Sequence, residues 1–201
     1  MIRVLIAEDQ GMVRGALASL LALEPDIEVV AQVARGDEVV QAARAAAPDI
    51  ALLDIEMPGA TGLEAAEQLR ASVPECRVLI LTTFGRPGYL RRAMEGGAAG
   101  FLLKDAPAGE LAATIRRAVD GERVVDPGLA AAALSQGECP LTPREHEVLA
   151  ASREHATVAE LATALYLSHG TVRNHLSSVM QKLDARNRAE AVRLAEERGW
   201  L

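Results

Sequence analysis

Four short apolar runs in this chain each end on a polar residue suited to chemistry. IRVLIA leads through Glu8 to Asp9, IALL to Asp54, RVLIL to Thr82 and GFLL to Lys104. Runs rich in Val, Ile and Leu, each followed by a helical pattern, mark buried parallel strands. In an open α/β sheet the carboxyl ends of such strands line the ligand crevice. The pattern therefore predicts one pocket where acids, a hydroxyl and an ammonium converge, a set suited to a divalent cation and a phosphoryl group.

The rest of the first 121 residues agrees with this arrangement. Strand patterns lie at 2–7, 27–33, 49–54, 77–82 and 100–103, and helical patterns at 11–23, 36–47, 62–72, 87–96 and 108–120. One helix fits in each crossover, so the sheet is expected to be parallel, covered on both faces and wound with right-handed connections. The character changes over 122–140, where Pro127, Gly128, Gly137 and Pro140 bracket an Ala-rich stretch. This predicts a linker, with room for a short helix, between two domains.

From residue 141 the pattern is helical only. Thr142-Pro143-Arg144-Glu145 and Thr157-Val158-Ala159-Glu160 are capping boxes, the first with Pro at the opening helical position. Ser168 is placed to cap a third helix, and Asn187 with Glu190 a fourth. A tight turn near Tyr166-Leu167 joins the second and third, which predicts a helix-turn-helix.

Composition narrows the function classes. Half of the 201 residues are hydrophobic but only 2% aromatic, so the cores must be Ala, Leu, Val and Ile. No apolar run reaches the ~18 residues of a membrane span, and the N-terminus enters a strand with no secretory pattern. Cys76 and Cys139 are far apart in sequence and read as free thiols of a cytoplasmic protein. The formal charge is −7, made of −5 over 1–121 (12 basic, 17 acidic) and −2 over 122–201 (9 basic, 11 acidic). Neither half favours indiscriminate nucleic-acid binding. Within 168–188, however, Arg173, Lys182, Arg186 and Arg188 face only Asp184, a local +3.

At the predicted pocket, Mg2+ is the fitting cation, since it takes oxygen ligands and keeps several waters. Crowded carboxylates would repel one another without it. With it, Asp54 can act as a nucleophile at phosphorus, Lys104 can pair with a phosphoryl oxygen and Thr82 can hydrogen-bond to another. Each of these residues has an ordinary reading alone, as a strand cap, a solvated edge or plain β chemistry. The force of the pattern lies in their order along one sheet edge.

IRVLIAEDQ, DIALLDIEMPGATGLE, VLILTTF and GAAGFLLKD together resemble the receiver domain of a two-component response regulator, over about residues 1–121. The resemblance implies a flavodoxin-like (CheY-like) five-stranded sheet of order 2-1-3-4-5. It implies Asp54 as phosphoacceptor, and Glu8, Asp9, Asp54 and the backbone carbonyl of Glu56 around Mg2+. It implies Thr82 and Phe101 as the switch pair and Lys104 as the phosphate-sensing cation. Glu56 and Phe84 would flank the route of hydrolytic water. The family often carries Pro after the lysine, often with a cis bond, where this chain has Asp105.

LTPREHEVL, VAELATAL, LSHGTVRNH and NRAEAV resemble the LuxR-type four-helix domain of the NarL/FixJ class, from Leu141 onward, and the whole chain looks most like its DesR-like branch. By that analogy Arg173, Asn174 and Ser177 contact bases, while Ser168, Thr171, His175, Lys182, Arg186 and Arg188 contact phosphates. Val172, Leu176, Val179, Met180 and Leu183 fall at core spacing. Trp200 is either a lid on that core or part of a dimer contact. The chain departs from the class in SREHATVAE, which lacks a glycine common before the second helix, and in Tyr166, at a turn position often held by a smaller residue.

Together these readings describe a cytoplasmic transcription factor, phosphorylated on Asp54 by a sensor histidine kinase, that forms a homodimer on double-stranded DNA with paired half-sites. No membrane insertion is expected, nor any enzymatic activity beyond self-phosphorylation and self-dephosphorylation at Asp54. One alternative keeps the receiver only as a phosphorylation-independent dimerisation module. Another is an aspartyl-phosphate phosphatase, which would need a second Asp two residues after Asp54 as general acid, and a cap domain, for which the pattern leaves no place. This chain has Glu56, not Asp, at that position.

Overall fold

The computed structural model describes residues 1–83, 87–105, 108–135 and 139–201. The chain forms two compact units, one built chiefly from residues up to 131 and one chiefly from 132 onward. Strands β1 (Ile2–Ala7), β2 (Ile27–Val33), β3 (Ile50–Asp54), β4 (Arg77–Thr82), β5 (Gly100–Leu103) and β6 (Val124–Val125) make the sheet of the first unit. All described pairings are parallel, in the order β2-β1-β3-β4-β5-β6. Helices α1 (Gly11–Leu21), α2 (Val39–Ala46), α3 (Gly62–Ser72), α4 (Pro87–Glu95) and α5 (Ala108–Val119) connect successive strands.

The apolar runs become strands because both sheet faces are covered, and β3 is buried at every position. Alternate residues point to opposite faces. Val4, Ile6, Ile50, Leu52, Leu79 and Leu81 join Leu21 of α1 and Leu111, Ile115 and Ala118 of α5 in one cluster. Leu5, Leu53, Ile80 and Phe101 take the other parity and are fully buried too. Each large side chain removed from water contributes about 1.5–3 kcal/mol, so this sheet centre is the rigid part of the unit.

The expected order 2-1-3-4-5 is present, but the sheet has a sixth strand. Val124 and Val125 pair with Gly100 and Phe101, within the stretch read as linker. Gly121, at φ +93°, turns the chain back after α5, and the following β-branched pair suits a half-buried edge. The predicted helix at 36–47 begins instead with a 3-10 turn at Gly36–Glu38. There the Gly36 amide bonds the Pro58 carbonyl at 3.0 Å.

The remaining helices are α6 (Pro127–Ser135), α7 (Pro143–Ala151), α8 (Val158–Ala164), α9 (His169–Leu183) and α10 (Arg188–Glu197). Their starts lie where the capping residues placed them. Thr142 with Glu145 and Thr157 with Glu160 form reciprocal capping boxes. Ser168 accepts from the Thr171 amide and Asn187 from the Glu190 amide. Val172, Leu176, Val179 and Leu183 make the buried stripe of α9 at helical spacing. The first two pack with Val148 and Leu161, the others with Leu149, Ala191, Ala195 and Trp200. Trp200 is thus part of the core of its own unit. Among the described residues no helix is long and apolar enough to cross a membrane.

Candidate functional site

Strand register brings the first set of polar residues together. Ala7 pairs with Leu53, Asp54 with Leu81 and Thr82 with Leu103. Glu8, Asp54, Thr82 and Lys104 therefore leave the sheet at one level. The Lys104 amide also donates to the Thr82 carbonyl at 2.9 Å, which fixes the two outer members to each other.

Gly62 holds Asp54 from behind. Its amide bonds the Ile55 carbonyl at 3.0 Å, and a Cβ there would sit 2.0 Å from the Asp54 carbonyl oxygen. No side chain larger than hydrogen fits unless β3 or α3 moves. Gly59, at φ +83°, makes the preceding turn possible.

The side chains converge. Lys104 Nζ lies 2.6 Å from Glu8 Oε2 and 2.9 Å from Asp54 Oδ1. Glu8, Asp54 and Thr82 are buried, whereas Asp9 is exposed. Burial raises the pKa of Glu8 and of Asp54, opposed in each case by the hydrogen bond from Lys104. Burial works against the Lys104 ammonium in turn, but its bonds to the two acids outweigh that and raise its pKa. The pocket therefore holds negative charge at some electrostatic cost and favours added positive charge.

Glu8, Asp9 and Asp54 each present an oxygen within 4.8 Å of the others. An all-oxygen carboxylate set around a partly open position fits Mg2+. Glu56, the expected carbonyl ligand, has an exposed side chain. Phe101 lies wholly inside, beside Ile80 of β4 and Val125 of β6. Phe84 falls outside the described residues. No cis peptide occurs among the described residues, consistent with Asp105 after the lysine. Arg14, one turn into α1, was not singled out from the sequence. Its guanidinium donates to the backbone carbonyls of Glu8 and Asp9, tying the acid pair to the first helix.

Most of the second set lies on the helix-turn-helix made by α8 and α9, with Arg186 between α9 and α10 and Arg188 at the start of α10. Gly170, Arg173, Asn174, Ser177 and Gln181 are exposed along one face of α9, opposite its buried stripe. Ser168 is committed to capping, its Oγ 3.0 Å from the Thr171 amide and 2.8 Å from Thr171 Oγ1. His175 is half-buried and Arg186 exposed. Two of the expected phosphate contacts are already engaged. Arg188 Nη2 donates to the Ala156 carbonyl at 2.6 Å, and Lys182 Nζ lies 2.6 Å from Glu145 Oε2. Glu145 also accepts from Ser178 at 2.6 Å. The sequence showed Glu145 only as a cap residue. The basic residue on α9 able to reach it was the available signal.

A parallel sheet with acids and a lysine at one edge, followed by a helix-turn-helix, defines a receiver coupled to a DNA-binding module. Residues 4–116 match the response regulator receiver domain, and residues 139–195 match the bacterial regulatory proteins of the luxR family. The chain is 48% identical over 201 residues to the transcriptional regulatory protein YvfU of Bacillus subtilis (strain 168), covering all of both chains. It is 46% identical over 200 residues to the transcriptional regulatory protein DesR of the same organism, covering 100% of this chain and 99% of that one. The crystal structure of ChrA, response regulator of a heme-sensing two-component system, matches with a TM-score of 0.59 at 33% identity, covering 100% of this chain and 98% of that one. The chain belongs to the response regulators that join a receiver to a LuxR-type DNA-binding domain, and it is a transcription regulator of that family.

Proposed function

We propose that Asp54 receives a phosphoryl group from a sensor histidine kinase and that this event drives homodimerisation and binding to paired half-sites in double-stranded DNA. The observation that carries the reading is the position of Lys104, bonded to both Glu8 and Asp54 at the level where Asp9 approaches. An Asp54 oxygen attacks phosphorus, the bond from phosphorus to the donor's imidazole nitrogen breaks, and the imidazole leaves with its electron pair. Mg2+ held by Glu8, Asp9 and Asp54, with the Glu56 carbonyl, would neutralise charge on the incoming group. Lys104 then exchanges its carboxylate partners for a phosphoryl oxygen, and the Thr82 hydroxyl turns toward another. That movement opens space for Phe101 and biases the receiver surface between two arrangements.

On the second unit, Arg173, Asn174 and Ser177 are the base-reading residues. Ser168, Thr171, His175 and Arg186 line the phosphate-facing edge, and Arg188 reaches that edge from its bond to Ala156. Arg favours guanine and Asn adenine in the major groove. Two copies set on one duplex follow from the pairing of dimer symmetry with half-sites.

Beryllofluoride with Mg2+ mimics the phosphorylated aspartate and tests the reading. Light scattering and duplex titration are expected to show a dimer with tighter DNA binding in the wild type and neither change in Asp54→Ala. Equal behaviour of the two proteins, with or without beryllofluoride, would leave the receiver as a passive dimerisation module.

A further inference from the structure

The turn between β1 and α1 carries two of the acids yet has little to fix its shape. Helix α1 opens at Gln10, whose side chain makes no cap bond, and no acid stands in its first turn. Glu8 is nonetheless held through its side chain. Its Oε1 accepts from the Gln10 amide at 3.3 Å, and its Oε2 meets the Lys104 ammonium at 2.6 Å. Asp9 has no such hold. Its carboxylate is exposed and, among the described residues, makes no hydrogen bond or ion pair. Even so, one of its oxygens comes within 4.8 Å of those of Glu8 and Asp54.

What places Asp9 is therefore its backbone, and Arg14 grips that backbone. The half-buried guanidinium folds back over the turn. Its Nη1 donates to the Glu8 carbonyl and lies 3.5 Å from the Asp9 carbonyl. Its Nη2 would stand 3.8 Å from a Cβ placed on Gly11. The Arg14 amide bonds the Gln10 carbonyl at 2.9 Å. One residue thus fixes the turn twice, by its side chain before the helix and by its backbone within it. A planar guanidinium suits this task, because its donors are already set in a rigid fork.

Resting on the Mg2+ reading above, we propose that Arg14 is a positioning residue for the cation. By holding the Glu8 and Asp9 carbonyls it aims the Asp9 carboxylate at the place shared with Glu8 and Asp54. Partners that orient a ligand from behind commonly govern metal affinity as strongly as this requires. The effect opposes that of the residue's own charge. A cation beside the acid pair repels Mg2+, so an arginine acting by charge alone would weaken binding, and its removal would tighten it. Positioning demands the reverse sign.

The experiment titrates the full chain with MgCl2 in a calorimeter, with no phosphoryl donor present. Arg14→Gln is expected to bind Mg2+ about tenfold more weakly than wild type. Arg14→Lys keeps the charge but only a point donor, and should bind about threefold more weakly. Hydrogen exchange of the β1 and β3 amides without metal should match wild type in both variants. In an Asp9→Asn background the carboxylate to be aimed is already gone, so Arg14→Gln should change the affinity by less than about twofold. Equal losses in the two backgrounds would mark a general structural role and overturn the proposal. Wild-type or tighter Mg2+ binding in both Arg14 variants would overturn it too, while leaving the phosphorylation reading intact. So would faster metal-free exchange in β1 and β3 of both variants, since Arg14 would then hold the fold and not the ligand. Failure of the wild type to bind Mg2+ would remove the metal reading, and this inference with it. Failure of beryllofluoride to act on a wild type that does bind Mg2+ would sink the phosphorylation reading alone.

Discussion

The Lys182 ammonium lies 2.6 Å from the buried Glu145 carboxylate and joins the last turn of α9 to the first turn of α7. Sequence pattern alone sets Lys182 among the phosphate contacts. Geometry gives it a partner whose burial makes desertion costly. Lys182→Ala is therefore expected to destabilise the second unit by about 2 kcal/mol, a value held below that of a fully buried pair because Lys182 is partly solvated. Trp200, the sole tryptophan, is buried in that unit's core and reports its unfolding by fluorescence. The salt dependence of DNA binding should stay unchanged. A slope lowered by about one, with stability intact, would return Lys182 to the phosphate contacts.

Glu145 also gives the second unit an acid-sensitive element. Burial alone would raise its pKa, but bonds from Lys182, Ser178 and Thr142 outweigh that and hold it at about 2, against an ordinary 4.5. A carboxyl whose folded pKa is depressed stabilises fully above its unfolded value and loses that stabilisation as pH falls toward the folded one. Denaturant unfolding followed by Trp200 should therefore weaken more steeply from pH 4.5 toward 2 in the wild type than in Glu145→Gln. Parallel pH profiles would remove Glu145 as the cause.

Most of the first unit was legible because its two codes agree. Buried parallel strands read as continuous apolar runs, and the polar residues that end them are the ones the structure brings together. Register then had only to bring Asp54, Thr82 and Lys104 to one level, as β3, β4 and β5 do. What escaped the sequence reading depends on pairings that leave no periodic mark. A two-residue edge strand at Val124–Val125 is too short to show a pattern. Arg14 acts through backbone carbonyls, which any residue supplies. In the second unit the capping boxes named the helix starts, yet a cap glutamate that also holds a lysine 37 positions away could be found only once α7 and α9 were packed.

Lys104 competes with the cation it is expected to assist. Its ammonium occupies Glu8 and Asp54, the acids that would ligate Mg2+. Lys104→Met should bind Mg2+ about tenfold more tightly in a calorimetric titration, since a like charge within a few ångströms is removed. The same variant should respond poorly to beryllofluoride, having lost the partner of the phosphoryl oxygen. Weaker Mg2+ binding would show that Lys104 organises the acids rather than opposing the ion.

Gly62 is required by its contact with Asp54 and not by its backbone angles. A methyl placed 2.0 Å from the Asp54 carbonyl oxygen forces β3 and α3 apart. Gly62→Ala should cost the first unit about 1–3 kcal/mol and slow the reaction of Asp54 with acetyl phosphate. Because Trp200 lies in the other unit, hydrogen exchange of the β3 amides is the suitable measure. Unaltered protection in β3 would mean that the contact relaxes freely.

Substitution of Arg173 tests base reading against phosphate contact. The residue is exposed on α9 beside Asn174, on the face opposite the buried Val172 and Leu176. A guanidinium in the major groove pairs bidentately with guanine, and losing that pair removes about 1–3 kcal/mol from the preferred sequence only. Arg173→Ala should therefore bind a selected duplex more weakly while its affinity for unselected DNA falls by no more than one lost charge implies. Selection from a random pool with the variant should return sites degenerate at one position per half-site. If the loss is equal on both duplexes and the selected sites are unchanged, Arg173 belongs with the phosphate contacts, and base reading on this helix falls to Asn174 and Ser177.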